Sequence, residues 1–140
     1  MDIAQLMHLY ISGEETYDSG DIIIEEGSTG DWIYIIQEGQ AKVTKRTAAG
    51  IVAIDTLKKG AVFGEMVLLG KNQEKRSASV VAADGPVKLG VLDFQLLLRD
   101  YDSLSPQLRS LIDALVRRLK ETSERVAALV VAANQRRKVA

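Results

Sequence analysis

Residues 63–80 read Phe63-Gly64-Glu65-Met66-Val67-Leu68-Leu69-Gly70-Lys71-Asn72-Gln73-Glu74-Lys75-Arg76-Ser77-Ala78-Ser79-Val80. Gly64 tolerates backbone torsions that a side chain forbids. Glu65 to Leu69 is long enough for one helical turn, and the first amides of such a turn lack internal partners and suit an anion. Arg76 reads as the opening of a strand. By parity it shares a face with Ala78, Val80 and Ala82, which is the apolar and therefore buried face. An arginine buried there without a partner is costly. A phosphate monoanion resolves the conflict, because the guanidinium fork holds two of its oxygens at once. Glu65 can accept a hydrogen bond from a ribose hydroxyl. Two simpler readings need no ligand: Arg76 pairs with Glu65 and pins the loop, or it reaches water at the strand mouth.

Working outward, residues 14–92 are punctuated by Gly20, Gly27, Gly30, Gly39, Gly50, Gly60, Gly70, Gly85 and Gly90. Short β-branched runs lie between them, over 21–25, 32–37, 40–46, 51–57, 76–83 and 87–92. Strands of this length with regular turn signals predict a sandwich or barrel. Ala41 and Val43 share one face of their strand, and Lys42, Thr44 and Arg46 the other. Thr47-Ala48-Ala49-Gly50 predicts a hairpin loop. Before this region, Ile3, Leu6, Met7 and Tyr10 are spaced for a short helix over 2–11, ended by Ser12-Gly13.

After residue 92 the pattern becomes helical. Asp93 caps a short helix over 94–99. Ser105-Pro106 opens a long one that meets no breaker before about Ala133. In it, Leu108, Ile112, Leu115, Leu119, Thr122, Val126, Leu129 and Ala133 alternate by four and three residues. That is a heptad seam, and it predicts a parallel two-stranded coiled coil, hence a homodimer. Leu111, Ala114 and Val116 lie beside the seam and are expected to pack on the strands. Thr122 interrupts the apolar seam and needs a partner, either the carbonyl of Arg118 within its own helix or a ligand.

The 140 residues amount to one domain, with an expected N-terminal helix over 1–12, a β-region over 14–92, helices over 93–134 and a polar tail over 135–140. Hydrophobic residues make up 46% and charged residues 26%, with a net charge of −1, so bulk charge points to neither nucleic acid nor an acidic membrane. Cysteine is absent, which excludes disulfides and thiolate metal sites; one imidazole, His8, cannot build a histidine-rich metal site, no Ser/His/Asp set is possible beyond it, and no nucleophile is placed beside a base. No metal or cofactor and no enzyme is expected. The start of the chain lacks a signal-peptide pattern, and Ala127–Ala133, the longest apolar run, is far too short to span a bilayer, so a cytoplasmic location is expected.

Taken together, Phe63-Gly64-Glu65 and Arg76-Ser77-Ala78 resemble the two ends of the phosphate-binding cassette of the cyclic-nucleotide-binding domain family. Tyr17-Asp18-Ser19-Gly20-Asp21, Glu26-Gly27, Tyr34-Ile35-Ile36-Gln37-Glu38-Gly39 and Leu57-Lys58-Lys59-Gly60 are similar to its strand and turn landmarks, and residues 117–126 to the long helix of the bacterial catabolite activator protein (CRP/FNR-like). The resemblance implies a mainly β fold with flanking α: a double-stranded β-helix, or jelly-roll, followed by a long dimerisation helix. It implies that Arg76 and Ser77 bind a cyclic phosphate, that Gly64 and the amides near Met66 and Val67 cradle it, and that Glu65 holds the ribose 2′-hydroxyl. Thr122 and Ser123 would reach the adenine, one subunit touching the nucleotide of its partner; Val43 joins the candidate ligand contacts. The expected ligand is cAMP, with cGMP beside it because Ser77 also occurs in members that accept guanine. Val67 is larger than the family's usual residue there, and the 70–75 loop is longer than in many members. The chain ends where a DNA-reading domain would begin in the activator subfamily, so no nucleic-acid contact is expected from it. The alternatives are the sensing half of a transcription regulator lacking its helix-turn-helix, and a degenerate dimerisation module that binds no nucleotide.

Overall fold

The computed structural model describes residues 3–30, 32–64 and 75–139. It is mainly antiparallel β with C-terminal helices, a jelly-roll β-roll. The elements are α1 (Ile3–Leu6), a 3-10 turn (Met7–Tyr10), β1 (Ile11–Tyr17), β2 (Ile22–Ile24), β3 (Ile33–Thr47), β4 (Gly50–Leu57), β5 (Val62–Phe63), β6 (Ser79–Leu92), α2 (Phe94–Asp102) and α3 (Pro106–Val139). The main path through the sheet runs β1-β6-β3-β4, with β2 on β6 and β5 on β3.

β3 is the axis of the roll. Its start, Ile33-Tyr34-Ile35-Ile36, is buried residue by residue, so both faces of the strand are covered. Tyr34 and Ile36 enter one core with Phe63, Val80, Val87 and Leu89. Ile33 and Ile35 enter a second with Leu92 and Phe94, joined by Met7, Tyr10 and Leu97. The two-residue period of a strand divides alternate side chains between these cores. The Tyr34 and Phe63 rings stack at 5.3 Å between centroids.

Several boundaries differ from the sequence reading. Gly39 does not end a strand: at φ 86° it lets β3 continue, and a Cβ there would lie 2.5 Å from the carbonyl oxygen of Pro86. From Ser79 onward the runs over 76–83 and 87–92 likewise form one strand, β6, which passes through Asp84 (φ 57°) and Gly85 (φ 119°). The N-terminal helix stops at Tyr10, and Ser12-Gly13 lies inside β1, one residue group ahead of the expected start at 14. Pairing with β6 claims it: Gly13 opposes Val91, and the Ser12 hydroxyl donates to the Val91 carbonyl at 3.2 Å. The hairpin at 47–50 is as expected, with Thr47 opposite Gly50.

Both helix caps are in place. The Asp93 carboxylate accepts from the Leu96 amide at 3.1 Å, and the Ser105 hydroxyl from the Leu108 amide at 3.2 Å. α2 extends past Arg99 to Asp102, and α3 past Ala133 to Val139, because Asn134 to Lys138 supplies no glycine or proline to stop it. The Tyr101 hydroxyl donates to the Asp113 carboxylate and so joins α2 to α3. Among the described residues, no helix is long and apolar enough to cross a membrane.

α3 packs on β4 and β3. Leu111 and Ala114 take no part in that contact; both are exposed. The covered stripe is Val116, Lys120, Ser123, Ala127 and Val130, with Ala127 fully buried. A small side chain lets the helix axis approach the sheet, which a leucine would hold off.

Tyr34 carries a pH dependence. Burial pushes its phenol well above the ordinary value of 10.0, helped by the negative charge of Glu15 and by Tyr17, while Arg76 opposes the shift. The folded state therefore holds this proton more tightly than the unfolded state. The associated stability is complete below the unfolded value and is lost as pH rises past it toward the folded value. Urea midpoints should be flat up to about pH 10 and then fall, and Tyr34→Phe should make the alkaline fall shallower. Parallel alkaline slopes in the two proteins would show that Tyr34 is not the group responsible.

Candidate functional site

The β3–β6 ladder ends at the pair Thr44 and Ser79, so residues 75–78 reach the sheet as irregular chain. Arg76 therefore lies ahead of β6 rather than inside it, which corrects the strand parity used above. Its backbone is claimed by another turn. The Arg76 amide donates to the Ser28 carbonyl at 2.7 Å, and the Gly27 amide to the Arg76 carbonyl at 2.8 Å. Its half-buried side chain then crosses to the end of β5. Nη1 donates to the Gly64 carbonyl at 3.1 Å, and Nη2 to the Trp32 carbonyl at 2.8 Å. The arginine is thus turned inward, with its direction fixed by main-chain acceptors.

Gly64 meets it at close quarters. Its φ is 83°, and a Cβ there would lie 2.7 Å from the Trp32 carbonyl oxygen and 3.1 Å from Arg76 Nη1. Only glycine leaves the guanidinium room to reach both carbonyls.

These groups open on a cavity of about 510 Å³. Its floor is apolar, from Ile24, Val43, Leu57, Phe63 and Val80. Gly64, Lys75, Arg76, Ser77 and Ala78 form one wall, and Leu119, Lys120, Thr122, Ser123 and Val126 of α3 face them. The lining thus divides into cations (Lys75, Arg76, Lys120), one carboxylate (Asp55), hydroxyls (Ser77, Thr122, Ser123) and apolar surface. That division suits a ligand with an anionic part and a flat, hydrogen-bonding part.

Of the residues singled out in the sequence, Gly64, Arg76, Ser77, Val43, Thr122 and Ser123 all line this one space. Glu65, Met66 and Val67 lie outside the described residues, and with them the Arg76–Glu65 pairing. Thr122 and Ser123 line the cavity of their own chain, whereas the resemblance implied a contribution across subunits. The Thr122 hydroxyl donates to the Arg118 carbonyl at 2.8 Å, the internal bond open to a threonine in a helix. Its oxygen lone pairs keep their accepting capacity.

Ile54, Asp55, Lys120 and the carbonyl of Trp32 escaped the sequence reading. Ile54 and Asp55 are adjacent, yet both line the cavity. The register shifts between Val43 and Thr44, where Asp55 and Ala53 are their partners, so Ile54 is the extra residue of a bulge. No sequence signal marks that bulge. Lys120 was legible in principle, as it falls on the sheet-facing stripe of α3 three residues before Ser123.

A family model for the cyclic nucleotide-binding domain matches residues 14–100. The cGMP-dependent protein kinase 2 of Mus musculus is 35% identical over 108 residues, covering 74% of this chain and 14% of the kinase. Among solved structures, the EAL enzyme Bd1971 in its cAMP and cyclic-di-GMP bound form gives a TM-score of 0.72 at 28% identity, covering 89% of this chain and 33% of that one. The N-terminal domain of a transcriptional regulator from Streptomyces coelicolor A3(2) gives 0.59 at 26% identity, covering 86% of this chain and 84% of that one. The chain thus spans a minor part of the kinase and of the EAL enzyme.

Gly64→Ala tests the close approach. The strained φ alone costs about 1–2 kcal/mol, and displacement of the guanidinium adds to it. Chemical denaturation should show a lower midpoint at unchanged slope. An unchanged midpoint would mean that the backbone at Gly64 relaxes freely.

Proposed function

This chain belongs to the cyclic nucleotide-binding domain family, and on that premise we propose that it is a cAMP-responsive regulatory module, a binding domain rather than a catalyst, acting in the cytoplasm as a homodimer through α3. Residues 1–140 act as one domain in this reading. The observation that carries it is the convergence of Arg76, Gly64, Ser77, Thr122 and Ser123 on one cavity. Arg76 takes the cyclic phosphate with its planar fork, and Ser77 assists through its hydroxyl or amide. Gly64 admits the backbone approach, with Glu65 assigned to the ribose hydroxyl and the amides near Met66 and Val67 to the phosphate. Val43 supplies apolar floor. Thr122 and Ser123 read the base.

The choice of cAMP rests on Thr122. Its hydroxyl proton is committed to the Arg118 carbonyl, so it meets a base as an acceptor. The exocyclic amine at C6 of adenine is a donor and matches it; the C6 carbonyl of guanine does not.

The homodimer rests on the exposed leucines of α3, one of which, Leu119, also lines the cavity. Leu108, Leu111, Leu115, Leu119 and Leu129 are all exposed, Leu129 to 70%. In heptad terms Ile112, Leu119, Val126 and Ala133 occupy a, and Leu108, Leu115, Thr122 and Leu129 occupy d. β-branched residues at a with leucine at d favour two parallel strands. Arg118 and Arg125 fall at g. A parallel pair sets them opposite Ser123 and Val130 of the second copy, whereas an antiparallel pair sets arginine toward arginine.

A second reading makes the chain the sensing part of a transcription regulator. The likeness to the Streptomyces coelicolor regulator domain supports it. The site and its ligand are the same in both readings.

Calorimetric titration should give tighter binding of cAMP than of cGMP. Arg76→Ala should weaken cAMP binding by about 100-fold or more, the usual cost of truncating a buried hydrogen-bonded charge. Binding that survives the change places the phosphate elsewhere, and no binding of either nucleotide leaves a dimerisation module. Separately, Leu115→Glu should convert a dimer to a monomer in sedimentation equilibrium, because it buries a like-charge pair at a d position. A wild-type monomer at micromolar concentration would remove the homodimer.

A further inference from the structure

The irregular chain that carries Arg76 and Ser77 is held from behind by a lysine. The last registered pair of β3 and β6 is Thr44 and Ser79. One residue further along β3, the half-buried Lys45 sends its ammonium to the Ser77 carbonyl at 2.5 Å. A charged side chain thus takes up a carbonyl at the point where the main-chain ladder stops. The surroundings are built from the same two segments. The Arg46 amide donates to a Glu26 carboxylate oxygen at 2.8 Å, and the Arg46 guanidinium lies 3.5 Å from Glu25. The Glu26 amide in turn donates to the Ser79 hydroxyl at 2.8 Å. The neighbouring Gly27 and Ser28 hold the Arg76 backbone from the other side.

The Ser77–Ala78 peptide is trans, so its carbonyl and its N–H point in opposite directions. With the carbonyl held by Lys45, the orientation of this peptide is fixed; Ser77 and Ala78 line the cavity, and Lys45 is not among its lining residues. We propose that Lys45 is a positioning residue for anion binding: it fixes the plane of the Ser77–Ala78 peptide and the exit of the arginine-bearing segment without touching the ligand. This rests on the cyclic-nucleotide reading of the cavity. Ion pairing of Lys45 with the ligand itself is a different idea, since its contact is the Ser77 carbonyl and it is not among the residues that line the cavity.

The test uses the full chain with Lys45→Met, which keeps the length of the side chain and removes its charge, and Lys45→Arg, which keeps a charged donor. Amide hydrogen exchange without ligand reads the positioning directly. In Lys45→Met, exchange at Gly27 and Arg76 should accelerate about tenfold, the factor for one lost hydrogen bond to a charged group, while Glu15 and Leu89 in the β1–β6 pairing stay unchanged. Calorimetry with cAMP should show weakening of about tenfold in Lys45→Met and near-wild-type affinity in Lys45→Arg. Unchanged exchange at Gly27 and Arg76 overturns the proposal, as does acceleration that is equal across the sheet, which would make Lys45 merely structural. Failure of the wild-type protein to bind cAMP overturns the nucleotide reading, and with it the service Lys45 does that reading, while the exchange arm still shows whether Lys45 holds the backbone. Wild-type affinity in Lys45→Met with accelerated exchange overturns the link between the two.

Discussion

The guanidinium of Arg76 joins parts of the chain that no β-ladder connects. It starts from the irregular segment before β6 and reaches the carbonyls of Gly64, at the end of β5, and of Trp32, just before β3. Carbonyl dipoles can aim a cation, but they do not cancel its charge. The arrangement therefore gives direction to a half-buried positive group at the wall of the cavity. The glycine at 64 follows from the same geometry, since any Cβ would stand in the path of the arginine. An arginine held in advance loses less rotamer freedom when a ligand arrives, which is where pre-organisation gains affinity.

Such a contact is only as firm as its frame, and β3 provides the frame. Its first residues are packed on both faces, Tyr34 and Ile36 into one core and Ile33 and Ile35 into the other. Trp32, whose carbonyl holds the arginine, directly precedes this most buried run. At its far end the same strand carries Lys45 to the Ser77 carbonyl. One long strand thus holds the arginine-bearing segment at two places, and a displacement of either end is resisted by close-packed side chains.

The sequence made the ends of the site legible because chemistry there is local. A glycine before an acid and an arginine before a small polar residue carry their meaning in two or three positions, and Asp93 and Ser105 announce their helices in the same way. The continuity of β3 and β6 was not legible. Gly39 and Gly85 look like turn residues, and only the neighbouring strands show that positive φ is being used to bend a strand rather than to end it. The covered face of α3 was also misjudged. Of the residues expected to pack on the strands, Val116 is covered, while Leu111 and Ala114 are exposed. With Val116 the sheet receives Lys120, Ser123, Ala127 and Val130, because close approach to β4 favours side chains smaller than leucine or long enough to reach past the contact. The bulge at Ile54, which brings Asp55 to the cavity, depends on pairing partners far away in the chain and leaves no local trace.

α3 then presents two faces that are not independent. Leu119, Thr122 and Val126 line the cavity and also occupy consecutive seam positions. Ser123 and Lys120 belong to the cavity and to the stripe packed on the sheet. Within about two turns of helix, the same side chains are asked to satisfy a ligand, a β-roll and, under the proposed homodimer, a second helix. A rigid helix cannot adjust its rotation for one without shifting the others, because residues three and four apart move together. Any ligand that favours one rotation of α3 by about 1.4 kcal/mol changes the balance between two helix arrangements about tenfold, and a partner bound on the seam must alter ligand affinity by the same factor. The reciprocity follows from shared residues alone. It needs no signal carried through the roll: under the proposed homodimer, the helix that lines the cavity is also the one through which its occupancy would be read.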